Sequence, residues 1–102
     1  MINIEFWPDH IKITGHAGYA QKGQDIVCAA VSILYMTFST CLETLDIECE
    51  PEETQSEAGT ELRWQKPLGT AGIVLLTALR TGLFALANTY PENVTIHDFK
   101  PL

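Results

Sequence analysis

The chain has 102 residues, of which 46% are hydrophobic, and its 6 basic and 13 acidic residues give a formal net charge of −7. This length predicts one domain with one core over residues 1–102, and the negative charge argues against binding to nucleic-acid phosphates. Three cysteines, Cys28, Cys41 and Cys49, without a C-x-x-C pair argue against a disulfide framework and a structural zinc site. We therefore expect a reducing, cytoplasmic location and neither a metal nor a cofactor.

The first half of the chain is predicted to form a hairpin, a loop and a helix. Apolar and polar residues alternate over residues 2–7 and 10–14, which is typical of two paired strands. Residues 15–24 contain three glycines and little apolar content, which indicates a flexible loop. Residues 26–45 are strongly apolar without proline or glycine, and Asp25 precedes them as an N-cap, so we predict a long, mostly buried helix.

The second half is predicted to add a second hairpin, a second helix and a last strand. Residues 46–52 alternate between acidic and apolar side chains, and Pro51 favours a sheet edge or a strand end. Residues 60–64 form its partner strand, residues 68–87 a second apolar helix and residues 93–99 the final strand. The predicted fold is therefore α+β, in the order ββαββαβ, with a mixed or antiparallel sheet packed against two apolar helices.

Neither predicted helix is expected to cross a membrane. The longest uncharged run, residues 26–42, has 17 residues and includes serines and threonines, which falls short of the roughly 20 apolar residues that a span requires. The N-terminus has neither the basic nor the apolar region of an export signal. Both helices are apolar on most faces, so we expect them to pack on the sheet and against each other or a second subunit.

Cys28 and His16 form the candidate catalytic pair. Cys28 follows the N-cap by three residues, so it lies in the first helical turn, where backbone N–H groups and the helix dipole stabilise a thiolate. His16 lies in the glycine-containing loop that leads to the same helix N-terminus. The imidazole of such a pair takes the thiol proton and later protonates the leaving amine, while free N–H groups near Cys28 can form an oxyanion hole. The alternative is a structural cysteine and an ordinary surface histidine.

Asp25 and Ser32 are candidate supporting residues. Asp25 is predicted either to cap the helix or to orient His16, and capping is the favoured role. Ser32 lies four residues after Cys28, on the same helix face. Its hydroxyl either faces the thiolate and the substrate or bonds to the Cys28 carbonyl.

The loop around His16 is predicted to move. Gly15 and Gly18 flank the histidine, which costs backbone order without any gain in packing. A loop of this composition is typical of a segment that closes over a substrate, and the alternative is an ordinary connecting turn.

Acidic residues are concentrated in one part of the chain, since seven of the thirteen fall between Asp46 and Glu61. The simplest interpretation is a solvated face that resists aggregation. The alternative is an electrostatic attraction for a basic peptide.

The segment from Gly15 to Ser32 combines a G-H-A motif with D-x-x-C-A-x-x-S, which is far more specific than a lone cysteine and histidine. It resembles the signature of the ribosomal-processing cysteine proteases, the Prp family. The resemblance extends along the whole chain, through the first hairpin, the helix start, the second apolar helix and the final strand.

The resemblance implies a cytoplasmic, homodimeric cysteine endopeptidase. Its implied partner is a peptide substrate, the aromatic-rich N-terminal extension of a large-subunit ribosomal protein, or a capsid or scaffold protein in a phage. The matching positions make His16 the general base and Cys28 the nucleophile, with Asp25 and Ser32 at supporting positions. The loop residues expected to meet the substrate are Gly15, Ala17, Gly18 and Gly23. The alternative function is a non-enzymatic, ribosome- or capsid-associated binding module.

Overall fold

The computed structural model describes residues 1–21 and 23–99, and Lys22 and residues 100–102 of the predicted domain lie outside this description. Within the described part, the elements follow the predicted order ββαββαβ. They are β1 (Ile2–Trp7), β2 (His10–Thr14), α1 (Ile26–Thr44), β3 (Pro51–Ser56), β4 (Gly59–Trp64), α2 (Gly69–Thr89) and β5 (Val94–Asp98).

The strands form one mixed sheet in the order β3-β4-β2-β1-β5. β1 pairs with β2 in antiparallel register and with β5 in parallel register, so Ile4 lies beside both Ile13 and Ile96. β4 pairs with β2 and with β3, both antiparallel. The sheet thus carries β3 at one edge and β5 at the other, which confirms the predicted mixed sheet.

One face of the sheet carries the core. Buried apolar residues alternate along the strands, and the register aligns them across the sheet, as with Phe6, Ile11 and Leu62. α1 adds five buried residues to this cluster, and α2 adds Leu79 and Leu83. The buried residues of α1 are Val27, Val31, Tyr35, Phe38 and Leu42. The predicted packing of two apolar helices on one sheet is therefore confirmed.

The helices also keep a large apolar surface exposed, so the prediction that the first helix is mostly buried is wrong. Ile33 of α1 and Val74 of α2 are 59% and 63% exposed, and the two helices approach each other closely where Gly82 faces Leu34. Both helices are long and apolar enough to cross a membrane by length and composition. A core helix of a soluble protein meets the same description, and each of these helices contributes buried residues to the core.

The predicted strand over residues 46–52 is wrong in position, because β3 begins only at Pro51. Asp46 and Glu50 have φ values of 52° and 50°, which interrupt an extended strand. Between them the chain turns so that Cys49 is fully buried and its carbonyl accepts the N–H groups of Gln65 and Lys66. The predictions of an edge position at Pro51 and an inward-facing Cys49 are confirmed.

Candidate active site

Asp25 joins the N-terminus of α1 to the preceding loop. Its Oδ1 accepts hydrogen bonds from the backbone N–H groups of Val27 and Cys28, both at 3.0 Å. Its Oδ2 accepts those of Tyr19 at 3.1 Å and Ala20 at 3.4 Å. These N–H groups, that of Cys28 above all, lower the pKa of the Asp25 carboxyl. Asp25 is thus the predicted helix cap, and it also fixes the loop.

Cys28 is a half-buried, free cysteine in the first turn of α1. Its Sγ accepts a hydrogen bond from the backbone N–H of Ala17 at 3.4 Å. This N–H group and the N-terminus of α1 both place positive partial charge near the sulfur. The expectation of free N–H groups for an oxyanion hole is wrong at Val27, Cys28 and Ala29, because each of these groups is bonded to Asp25.

His16 is exposed, and it lines a pocket of about 580 Å³ together with Cys28. The structure therefore brings the two candidate catalytic residues to the same cavity. The pocket is lined by His16, Gly23, Asp25, Cys28, Ala29 and Ser32. Among residues 1–21 and 23–99, no hydrogen bond joins Asp25 to His16, so an orienting role for Asp25 is not seen here.

Ser32 is exposed and lines the same pocket one turn after Cys28. Its hydroxyl makes no hydrogen bond within the described residues, including to the Cys28 carbonyl. The alternative of a local bond to that carbonyl is therefore wrong in this structure. The hydroxyl is free to face a bound substrate or the thiolate.

The predicted substrate loop is fixed at several points rather than free along its whole length. Gly15 has φ +87°, its N–H donates to Ala58 at 3.3 Å, and a Cβ at this position would lie 2.3 Å from the Met1 oxygen. Ala17 is 2% exposed, while Gly18 is exposed with φ +69°. Gly23, with φ +89°, reaches the pocket wall. The loop therefore combines anchored residues with an exposed His16.

The family model for the cysteine protease Prp matches residues 1–95. The chain belongs to the cysteine protease Prp family. This membership confirms the predicted resemblance and the predicted class of enzyme, a cysteine protease, and it covers both candidate catalytic residues.

Two relatives named ribosomal processing cysteine protease Prp come from Mycoplasma species. The Mycoplasma pneumoniae protein is 35% identical over 98 residues, which cover 93% of this chain and 94% of that protein. The Mycoplasma genitalium protein is 30% identical, with 96% of each chain covered.

Solved structures share the fold. A crystal structure of the essential ribosomal processing protease Prp from Staphylococcus aureus, in complex with a covalently linked product peptide, matches with a TM-score of 0.84 at 18% identity. The match covers 95% of this chain and 96% of that one. The Streptococcus mutans protein SMU.848 matches with a TM-score of 0.77 at 28% identity, over 98% and 93% of the two chains.

Sequence reasoning missed two residues that contact the loop of this Prp family member. Nδ2 of Asn93 donates to the carbonyl of Ala17 at 2.9 Å, and the Tyr90 ring packs edge-on against Tyr19 with the centroids 5.4 Å apart. Both residues lie between α2 and β5, more than 70 positions along the chain from the loop residues that they contact. No local pattern in the sequence could have revealed them, since the contact arises only from the fold.

A cleft of about 790 Å³ lies away from the Cys–His pair, between the C-terminal half of α1 and strand β3. We call it the acidic cleft, because Glu43, Asp46, Glu48 and Glu53 line it together with apolar side chains. Its α1 wall starts at Ser39, about 16 Å along the helix from Cys28. The acidic segment predicted from the sequence thus borders a cleft on the helix-covered side of the sheet.

The other two cysteines lie outside the pocket. Cys49 is fully buried, and burial raises the pKa of its thiol. Cys41 is half-buried rather than a full core residue as expected. No group of three or more potential metal ligands occurs within the described residues, and the absence of a metal and a cofactor stays a prediction.

Proposed function

We propose that this Prp family member is a cysteine endopeptidase that removes the aromatic-rich N-terminal extension of a large-subunit ribosomal protein. The observation that carries the proposal is that His16 and Cys28 line one pocket, with the N–H of Ala17 directed at Sγ. The names of the two Mycoplasma relatives support a ribosomal substrate. The relatives named above come from bacteria, and none of them supports the phage alternative.

In the proposed reaction, the imidazole of His16 takes the thiol proton of Cys28, and the thiolate attacks the carbonyl carbon of the scissile peptide bond. The imidazolium then protonates the leaving amine, the C–N bond breaks, and a thioester remains on Cys28. Water, deprotonated by His16, hydrolyses the thioester and restores the thiol. The exposed position of His16 between Gly15 and Gly18 lets loop closure bring the imidazole to Sγ over a bound peptide.

Asp25 and Ser32 support this chemistry in different ways. Asp25 holds the Cys28 backbone and the loop in one arrangement through four N–H bonds. Ser32 presents an uncommitted hydroxyl to the pocket, where it donates to the bound peptide or to the thiolate. The loop residues Gly15, Ala17, Gly18 and Gly23 form the backbone along which the peptide lies.

The test is cleavage of a synthetic peptide that carries an aromatic-rich extension ahead of a basic ribosomal sequence, followed by mass spectrometry. Cys28→Ala and His16→Ala should each lower the cleavage rate by at least about 10³-fold. Cys41→Ala is the matched control, because Cys41 lies on the same helix outside the pocket, and it should cut normally. Undiminished cutting by either pocket variant would overturn the mechanism. Binding of the peptide without cleavage by the unmodified protein would favour the binding-module alternative.

We also propose that the protein is a homodimer that uses the exposed helix faces. Ile33 and Met36 of α1 and Ile73 and Val74 of α2 are each more than half exposed, which is unusual for such large apolar side chains. Light scattering should give the mass of two chains, and Val74→Lys should shift the protein towards a monomer. Thr54→Lys, on the exposed strand β3, is the control and should leave the mass unchanged. A monomer at all concentrations would contradict the proposal.

We also propose that the protein is cytoplasmic and is not inserted in a membrane. Cys28, Cys41 and Cys49 are free cysteines, which suits a reducing compartment, and a ribosomal substrate is made there. Cell fractionation followed by an immunoblot should recover the protein with the soluble cytoplasmic proteins. Recovery in the membrane pellet after a carbonate wash would contradict this location.

A further inference from the structure

The connection between α2 and β5 reaches across the fold to the backbone of the loop that carries His16. Nδ2 of Asn93 donates to the carbonyl of Ala17 at 2.9 Å, a contact between residues 76 positions apart. Ala17 follows His16 directly, and its own N–H donates to Sγ of Cys28. A single loop residue is therefore held on one side by Asn93 and on the other by the candidate nucleophile.

Asn93 is itself held rigidly, so it can define a position for its partner. Its N–H donates to the carbonyl of Tyr90 at 2.9 Å, and its carbonyl accepts the N–H of Ile2 at 2.8 Å. Asn93 is half-buried and directly precedes β5. The next residue, Val94, pairs with Ile2 in the parallel register between β1 and β5. The side-chain amide is thus attached to the end of the sheet where β1 and β5 pair.

The position of Ala17 matters because the contact to Sγ is made by its backbone. The Ala17 side chain is 2% exposed and fills a small place in the core, but a methyl group alone does not fix the rotation of the adjoining peptide groups. The bond from Asn93 supplies the missing constraint at the Ala17 carbonyl. With both constraints, the Ala17 N–H stays directed at Cys28.

We propose that Asn93 is a positioning residue of the active site, which holds Ala17 so that its N–H stabilises the Cys28 thiolate. The inference rests on the proposed role of Cys28 as the nucleophile and adds a residue from outside the Gly15–Ser32 segment. It requires the side chain at position 93 to donate a hydrogen bond, not merely to fill space.

The test compares Asn93→Asp and Asn93→Ala with the matched control Asn88→Asp. An aspartate at position 93 has nearly the shape of asparagine but, when ionised, offers no donor to the Ala17 carbonyl. The Asn88 side chain is exposed on α2 and makes no hydrogen bond within the described residues, so its replacement should leave the alkylation of Cys28 unchanged. The main readout is the rate at which iodoacetamide alkylates Cys28 between pH 6 and pH 9, resolved from Cys41 and Cys49 by peptide mapping. Thermal unfolding of each variant checks the fold.

We expect both Asn93 variants to alkylate about fivefold more slowly than the parent protein at neutral pH, and their rate profiles to move towards higher pH. In peptide cleavage, kcat should fall with little change in KM, because the affected contact is made to the reacting sulfur. Folded Asn93→Asp protein that alkylates at the parent rate would overturn the proposal. Alkylation needs no peptide substrate. The alkylation rate of Cys28 therefore tests the role of Asn93 even if the proposed ribosomal substrate is wrong.

A second measurement on the unsubstituted protein covers the case in which the variants do not fold. Alkylation turns Sγ of Cys28 into a thioether sulfur, a weaker acceptor for the Ala17 N–H, so the NMR signals of the Ala17 amide and of the Asn93 side-chain amide should shift together. The side-chain amide of Asn88 should not shift. An unchanged Asn93 signal beside a shifted Ala17 signal would overturn the coupling.

Discussion

Oδ1 of Asp25 accepts the backbone N–H of Cys28 at 3.0 Å, so the side chain that caps α1 also fixes the backbone of the candidate nucleophile. The second oxygen of the same carboxylate holds Tyr19 and Ala20 of the loop. A change at Asp25 therefore disturbs the helix start and the loop at the same time. This double role separates its predicted effects from those of a simple helix cap.

Replacement of Asp25 should lower both stability and activity at neutral pH. Asp25→Ala removes all four N–H contacts and should lower the melting temperature by several degrees. Asp25→Asn retains an acceptor for the helix, so its melting temperature should lie between those of Asp25→Ala and the parent protein. The pKa of Asp25 is lowered from 3.8, so its ionised form stabilises the folded state above that pH. The advantage over Asp25→Asn should vanish as the pH falls through the lowered folded value. A difference in melting temperature that is the same at pH 7 and pH 2 would contradict this linkage.

Gly15 and Gly18 should differ in their response to alanine. Both have positive φ, so either substitution strains the backbone by about 1 kcal/mol or more. A Cβ at Gly15 would also lie 2.3 Å from the Met1 oxygen, whereas at Gly18 nothing lies within 4 Å. Urea denaturation should therefore show a larger loss of unfolding free energy for Gly15→Ala than for Gly18→Ala. The total loss for Gly15→Ala should be about 2 kcal/mol or more. Equal losses would show that the contact with Met1 is not tight.

Tyr35 should make the protein sensitive to alkaline pH. Its hydroxyl donates to Glu53, and burial together with this carboxylate raises the tyrosine pKa above its usual 10.0. The neutral phenol thus stabilises the folded state fully below about pH 10, and this contribution is lost as the pH rises further. Tyr35→Phe should cost about 1 kcal/mol at pH 8 and remove that alkaline loss. Tyr19→Phe is the control, and an alkaline loss that persists in Tyr35→Phe would contradict the assignment.

Leu83 should be a major contributor to stability. It is fully buried where α2 packs on the sheet, so Leu83→Ala should destabilise the fold by about 2 to 5 kcal/mol in urea titration. The same change at Leu45, which is 55% exposed after the end of α1, should cost about 0.5 kcal/mol or less. Similar costs at the two positions would contradict the described packing.

The acidic cleft should attract a basic peptide. Glu43, Asp46, Glu48 and Glu53 line it, and the C-terminus of α1 adds a partial negative charge. The KM for a lysine-containing peptide should therefore rise as salt is added, while kcat stays constant. A peptide with those lysines replaced by alanine should show a weaker dependence. A KM that is insensitive to salt would show that the cleft does not attract the peptide. The proposed roles of His16 and Cys28 do not depend on this result.

Local sequence patterns correctly predicted the elements that carry the candidate site. The strands at residues 2–7 and 10–14 and the cap at Asp25 were predicted correctly, because hydrophobic alternation and capping chemistry act over a few residues. The correct prediction of the cap is enough to place Cys28 in the first turn of α1. The G-H-A and D-x-x-C-A-x-x-S motifs supplied the pairing with His16.

The errors arose where distant parts of the chain decide the local structure. Residues 46–52 alternate as a strand does, yet left-handed backbone at Asp46 and Glu50 and the bonds from Gln65 and Lys66 to Cys49 make the first part a connection. The error at the Cys28 N–H is local, because an N-cap at Asp25 itself accepts the N–H of the third helical residue and so leaves it unavailable as an oxyanion-hole donor.

The parallel pairing of β1 with β5 has a consequence for synthesis. Strand β1 can pair with β5 only after Val94 has emerged from the ribosome, and the Ala17 carbonyl can bond to Asn93 only at the same stage. Contacts between residues so far apart in the sequence form slowly and late in folding. We therefore expect the loop to become organised only after Asn93 has left the ribosome.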